Sequence, residues 1–191
     1  MTSIKFPAKT IMPVHVAMIR GINVSGHKPV KMERLRASFE SLGFSDVKTY
    51  VQSGNVVFKT AKASEASLVG KIAEKILDDF GHSVSILIRT PAELGEVLKG
   101  NPILKQAGID MARLYVTFLS QPAPKAAEEM LRPLAAKSDR FSVSGREIFL
   151  YCPAGYGETK FSNNAVEKKL SVQATTRNWR TVNALFEMAQ S

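Results

Sequence analysis

Two apolar rhythms alternate along this chain, and together they predict an α+β protein. The predicted form is two ferredoxin-like (βαββαβ) units in tandem, each followed by an extra helix. Three observations carry this. Short segments alternate apolar and polar residues with period 2, and longer ones repeat every 3.6 residues. The order β-α-β-β-α-β plus a helix occurs once within residues 14–100 and again within 111–191. Between the two runs "KGNPILKQAGID" supplies the Gly, Asn and Pro of a connecting seam.

In the first unit, Val14, Val16, Met18 and Ile19 belong to a strand. Met32, Leu35, Phe39 and Leu42 share one face of a helix that stops at Gly43. "DVKTYVQ" and "NVVFK" are strands joined at Ser53-Gly54, a hairpin signal. Leu68, Ile72, Ile76 and Phe80 mark an amphipathic helix ended by Gly81, and "SVSILIR" is the fourth strand. A short extra helix begins at Pro91, where proline suits the first turn.

The second unit repeats the order without repeating the sequence. "RLYVTFL" is its first strand, and "PKAAEEMLRPLAAK" is a helix interrupted by Pro133. "RFSVSGREIFLY" is a hairpin turning at Ser144-Gly145. A helix over "KFSNNAVEKKL", a short strand "VQATT" and a last helix carrying Trp179, Val182 and Phe186 complete it. Residues 1–13 have the character of a flexible arm: they hold Lys5 and Lys9 but lack the apolar stretch of a secretory signal.

Composition narrows the function classes. The chain has 191 residues, 45% of them hydrophobic and 23% charged, and no segment approaches the ~20 apolar residues of a membrane helix. The single cysteine, Cys152, excludes an internal disulfide and a cysteine-cluster zinc site, and its apolar setting marks it as a structural thiol. His15, His27 and His82 lack metal-ligand spacing, so no metal and no cofactor is expected. There is no Gly-X-Ser-X-Gly elbow. A cytoplasmic protein is the simplest expectation. The net charge is +9, and within residues 1–36 Lys5, Lys9, Arg20, Lys28, Lys31, Arg34 and Arg36 face Glu33 alone. Such a surface attracts phosphates and polyanions, although solvated lysines also serve solubility.

Two polar loops are brought together by the topology. In a split βαβ unit the third strand lies between the first and second, antiparallel to both. The end of the first strand, Arg20-Gly21-Ile22-Asn23, is then a neighbour of the hairpin Gln52-Ser53-Gly54-Asn55. A guanidinium, a side-chain amide and loop N–H groups suit a phosphate or carboxylate, with His27 or Lys28 assisting. The structural alternative pairs Arg20 with an internal acid such as Asp46 and leaves Ser53 and Asn55 to serve the turn. Arg177 and Asn178 stand at a strand-to-helix junction, where free N–H groups also favour an anion. There too a structural role competes: Thr176 or Asn178 can cap the helix, and Arg177 or Arg180 can brace the two units. "GYGETK" before a helix is neither a P-loop nor a dinucleotide fingerprint.

"RGINVSGHKPVKMERLRASFESLGF", "VKTYVQSGNVVF" and "ATTRNWRTVNAL" together resemble the bacterial domain of unknown function 1697 family, from about Val14 to the C-terminus. The matching positions are Arg20, Gly21, Ile22 and Asn23; Gln52, Ser53, Gly54 and Asn55; and Thr176, Arg177, Asn178, Trp179 and Thr181. Ser25 departs from the glycine usual in that family. The resemblance implies an α+β protein of two related subdomains and brings no established activity, substrate or cofactor.

Three functions follow as expectations. The first is an anion-binding protein, for nucleic acid or a nucleotide phosphate, using Arg20, Gly21, Asn23, Ser53, Asn55, Arg177 and Asn178. The second is an enzyme acting on a phosphorylated or carboxylated small molecule at the same loops. The third is a scaffold in which all three motifs are structural. The first strand "VAMI" has no aromatic residue and the third only Phe58, which disfavours base stacking of the RNA-recognition type.

Overall fold

A computed structural model describes residues 12–24 and 28–191. The arm expected over residues 1–13 falls almost wholly outside these, as do Ser25 and His27. The first half runs β1 (Val14–Ile19), α1 (Met32–Ser41), β2 (Ser45–Tyr50), β3 (Asn55–Lys59), α2 (Glu65–Phe80), β4 (Ile86–Arg89) and α3 (Pro91–Gly100). The second runs β5 (Leu114–Leu119), α4 (Ala127–Leu131), β6 (Arg140–Ser144), β7 (Glu147–Tyr151), α5 (Asn163–Leu170), β8 (Ala174–Asn178) and α6 (Trp179–Gln190). The strands form two four-stranded antiparallel sheets, ordered β2-β3-β1-β4 and β6-β7-β5-β8. The third strand of each half lies between the first and second, as the element order predicts.

Small departures have local causes. The helix expected over 124–137 shortens to α4 and a 3-10 turn at Arg132–Leu134, because Pro133 has no N–H to continue the ladder. β4 is confined to Ile86–Arg89 and β8 begins at Ala174. The β2–β3 connection is four residues, Val51 to Gly54, with both Val51 and Gly54 at positive φ.

Burial explains why β1 lacks a polar face. Val16 and Met18 enter one apolar cluster, while Ala17 and Ile19 enter another on the opposite side with α1 and α2. The first of these clusters belongs to both halves. Val57 and Leu87 of one sheet, Val116, Phe118 and Phe149 of the other, and Leu94, Val97, Trp179, Val182 and Leu185 of α3 and α6 share it. A third cluster joins Ile148 and Leu150 to α4 and α5. Trp179 is therefore a core anchor.

The two halves match in register as well as in order. Val16 pairs with Arg89 across β1–β4 as Val116 pairs with Arg177 across β5–β8. Met18 faces Asn55 as Phe118 faces Glu147. Thr90 and Asn178, the residues after the two arginines, cap α3 and α6, and Ser64 and Ser162 cap α2 and α5. Arg177 thus corresponds to Arg89, and Asn55 to Glu147.

Candidate functional site

Arg20, Gly21, Ser53 and Arg177 converge on a cleft of about 420 Å3 between the two halves. The first half contributes the turn after β1, with Ile22 and Val24, and the β2–β3 hairpin. The second contributes Tyr156, the start of α5 (Ser162, Asn163 and Asn164) and Thr175 and Thr176 of β8.

Glycine makes the close approach of the first two loops possible. Gly21 has φ +74°, and Gly54 has φ +73° and lies so near β1 that an added Cβ would sit 2.9 Å from Ile19 and Ile22 side-chain atoms. Asn23, also at positive φ, then ties the loops together. Its amide donates to the Val30 and Gln52 carbonyls at 2.8 and 2.9 Å, and its oxygen accepts from Val30 N at 2.7 Å. Asn23 borders a separate cleft of about 610 Å3 beside the start of α1, not the one at Arg20.

Arg20 is partly committed. Its Nε donates to the Ala174 carbonyl at 3.1 Å, and its Nη2 donates to Asn164 Oδ1 and, at 2.8 Å, to Glu167 Oε2. The structural alternative was right in kind but named the wrong acid: the partner is Glu167, and Asp46 pairs instead with Lys59 at 2.7 Å. Glu167 lies far from Arg20 in sequence and carries no motif, so only the packing of α5 against the turn exposes it. Among the described residues Arg20 Nη1 makes no hydrogen bond.

Arg177 forms the floor and is only 8% exposed. All five of its N–H donors are used. Nε donates to Asn55 Oδ1 at 2.6 Å, Nη1 to Thr175 Oγ1 and the Thr176 carbonyl, and Nη2 to the Ile19 and Ser53 carbonyls. Every acceptor is neutral. Among the described residues no carboxylate pairs with it, and burial pushes the guanidinium pKa down to about 10. Its counterpart Arg89, also buried, has Glu147 at 3.0 Å. Arg177 therefore braces the halves and leaves a buried positive charge beneath the cleft.

The remaining candidates take structural positions. Asn55 holds the hairpin through Tyr50 O and Ser53 Oγ while serving Arg177. Asn178 caps α6 by accepting from Thr181 N at 2.8 Å. On the far wall, Thr176 Oγ1 lies 2.7 Å from Asn163 Oδ1, 2.7 Å from Thr117 Oγ1 and 2.9 Å from the Tyr156 hydroxyl. Burial raises the Tyr156 phenol above its ordinary pKa. Cys152 is buried, with burial pushing its thiol up to about 11. No group of three or more His, Cys, Asp or Glu among the described residues is placed to hold a metal, and no described helix is long and apolar enough to cross a membrane.

A family model described as "Protein of unknown function (DUF1697)" matches residues 12–149. The chain belongs to this family. The matched span includes the loops at Arg20 and Ser53 but ends before Arg177. No curated protein matches the chain. Among solved structures, a conserved bacterial protein, SP0830 from Streptococcus pneumoniae, is similar with a TM-score of 0.73 at 23% identity, over 94% of this chain and 99% of that one. That similarity carries the two-unit α+β fold and nothing about a ligand.

Proposed function

We propose that this chain is a binding protein for a small anion, a carboxylate or a phosphate, held in the cleft between Arg20 and the start of α5. The observation that carries the reading is the pair of guanidinium groups. Arg177 is buried without a carboxylate beneath the cleft, and Arg20 has its Nη1 free of hydrogen bonds among the described residues. A buried cation attracts an anion more strongly than a solvated one, because little water screens it. The positive end of α5 adds to the same field. Arg177 acts through that field alone, since its donors are all engaged, and Arg20 makes the direct contact.

A concavity of about 420 Å3 suits a small molecule better than a nucleic-acid backbone. Binding is favoured over catalysis because the described lining contains no histidine or cysteine. Its phenol, Tyr156, is within hydrogen-bonding distance of the Phe161 carbonyl at 2.9 Å and has a raised pKa, which makes it a poor base at neutral pH.

Titration calorimetry with benzoate and inorganic phosphate at matched ionic strength tests the reading. At least one binds the wild type, and Arg20→Gln weakens it about tenfold, the loss of one charge-assisted hydrogen bond of ~1.5 kcal/mol. Absence of binding by both, or equal binding by the variant, contradicts it.

A further inference from the structure

The equivalent place around Arg89, built from both halves, shows what fills it when the protein supplies the charge itself. There Glu65, the first residue of α2, accepts from Arg146 Nη1 with both carboxylate oxygens, at 3.1 and 3.0 Å. Arg146 also holds Glu93, the third residue of α3, at 2.5 Å, and Glu147 accepts from Arg89. These three acids sit between the start of α2, the β6–β7 turn and the end of β4.

Around Arg177 the corresponding positions carry none of those acids, and Gly54 stands where Arg146 does, each offering its carbonyl to the last residue of the first strand in its own half. The first residue of α5 is Asn163, the third residue of α6 is Thr181, and the partner of Phe118's counterpart Met18 is Asn55. The arginine at the end of the last strand is kept. Two amides and a hydroxyl thus stand where three carboxylates do, Arg177 stays buried as Arg89 does, and the second cation is Arg20, which reaches Asn164 and Glu167 of α5; at Asn163 the cleft opens.

Resting on the anion reading above, we infer that the ligand is a small organic acid whose carboxylate takes the place of the Glu65 carboxylate, beside Asn163 and Arg20 Nη1. A singly charged head matches the site, because Arg20 and Arg177 against Glu167 leave one positive charge in excess. The rest of the ligand is apolar. Ile22 and Val24 line the cleft on the side of the first half, and Val24 is 55% exposed, free to cover a ring or short alkyl chain. The volume admits an acid of a few to about a dozen heavy atoms, at the small end of ligand sites.

Isothermal titration with acetate, benzoate and inorganic phosphate, on the wild type, Asn163→Glu and Val24→Asp, tests this at matched ionic strength. Benzoate binds the wild type at least tenfold more tightly than acetate, since its ring buries apolar surface, and phosphate binds no more tightly than acetate. Asn163→Glu installs the acid that the first half carries, so benzoate affinity falls at least tenfold while the melting temperature rises. Val24→Asp removes the preference of benzoate over acetate. If phosphate binds and benzoate does not, or all three bind alike, the anion reading stands and the organic-acid inference falls. If none binds, both fall. Wild-type benzoate affinity in a folded Asn163→Glu overturns the placement of the carboxylate, and an unchanged preference in Val24→Asp overturns the apolar wall.

Discussion

Replacing Arg177 by methionine keeps a long side chain in the inter-half core and removes the guanidinium. Five acceptors lose their donor: Asn55 Oδ1, Thr175 Oγ1 and the carbonyls of Ile19, Ser53 and Thr176. At ~1 kcal/mol for each of these buried or half-buried acceptors, the low end of the usual range, the loss is about 5 kcal/mol. One effect opposes it. Burial lowers the Arg177 pKa to about 10, so holding this charge at neutral pH costs the fold about 3 kcal/mol, which methionine does not. The net destabilisation is about 2 kcal/mol. For a chain of this length that lowers the melting temperature by roughly 4–8 °C. Urea unfolding, followed by tryptophan fluorescence since Trp179 lies in the shared core, measures it directly. Arg89→Met loses more, because it also strands the Glu147 carboxylate, which is 17% exposed. An Arg177→Met stability within ~0.5 kcal/mol of wild type refutes the bracing role.

Three further outcomes follow from single groups. Gly54→Ala combines left-handed strain with a 2.9 Å approach to Ile19 and Ile22, and loses about 3 kcal/mol in the same unfolding assay; a loss below ~1 kcal/mol contradicts the close packing of the hairpin on β1. Burial pushes the Glu93 carboxyl up, but hydrogen bonds from the Thr90 amide and hydroxyl, with Arg146, bring it below its ordinary value. A carboxyl with a depressed folded pKa stabilises above its unfolded pKa, about 4.3, and that contribution disappears as the pH falls through the folded value. Stability of the wild type therefore falls more between pH 6 and pH 3 than that of Glu93→Gln, and parallel curves count against the assignment. Cys152, with its thiol pushed up to about 11, is alkylated by iodoacetamide at pH 8 only at the rate of unfolding; rapid labelling of the native protein contradicts its burial.

Much of the architecture was legible because strand and helix periods are local. β3 at Asn55–Lys59 coincides with the segment read from alternation, and Gly81 ends α2 in the left-handed conformation that its position suggested. Topology alone placed Arg20 beside Ser53, since any split βαβ unit brings those two loops to one edge. What escaped the sequence is what depends on packing between halves. Nothing local marks Glu167 as the partner of Arg20, Asn55 as an acceptor for Arg177, or Arg89 as its counterpart. Their chain separations are large and no residue spacing encodes them. The correspondence between halves emerges only from strand register, because burial conserves the pattern while the residues differ.

A titration of the 15N-labelled protein with benzoate, followed through its backbone amide and arginine Nε–H resonances, tests the central claim most directly. The account predicts saturable shifts confined to Gly21, Ile22, Val24, Ser53, Asn163, Asn164 and the Arg20 side chain, residues that line one cleft. Spectra that do not change, or shifts scattered over exposed lysines and absent from these residues, contradict it.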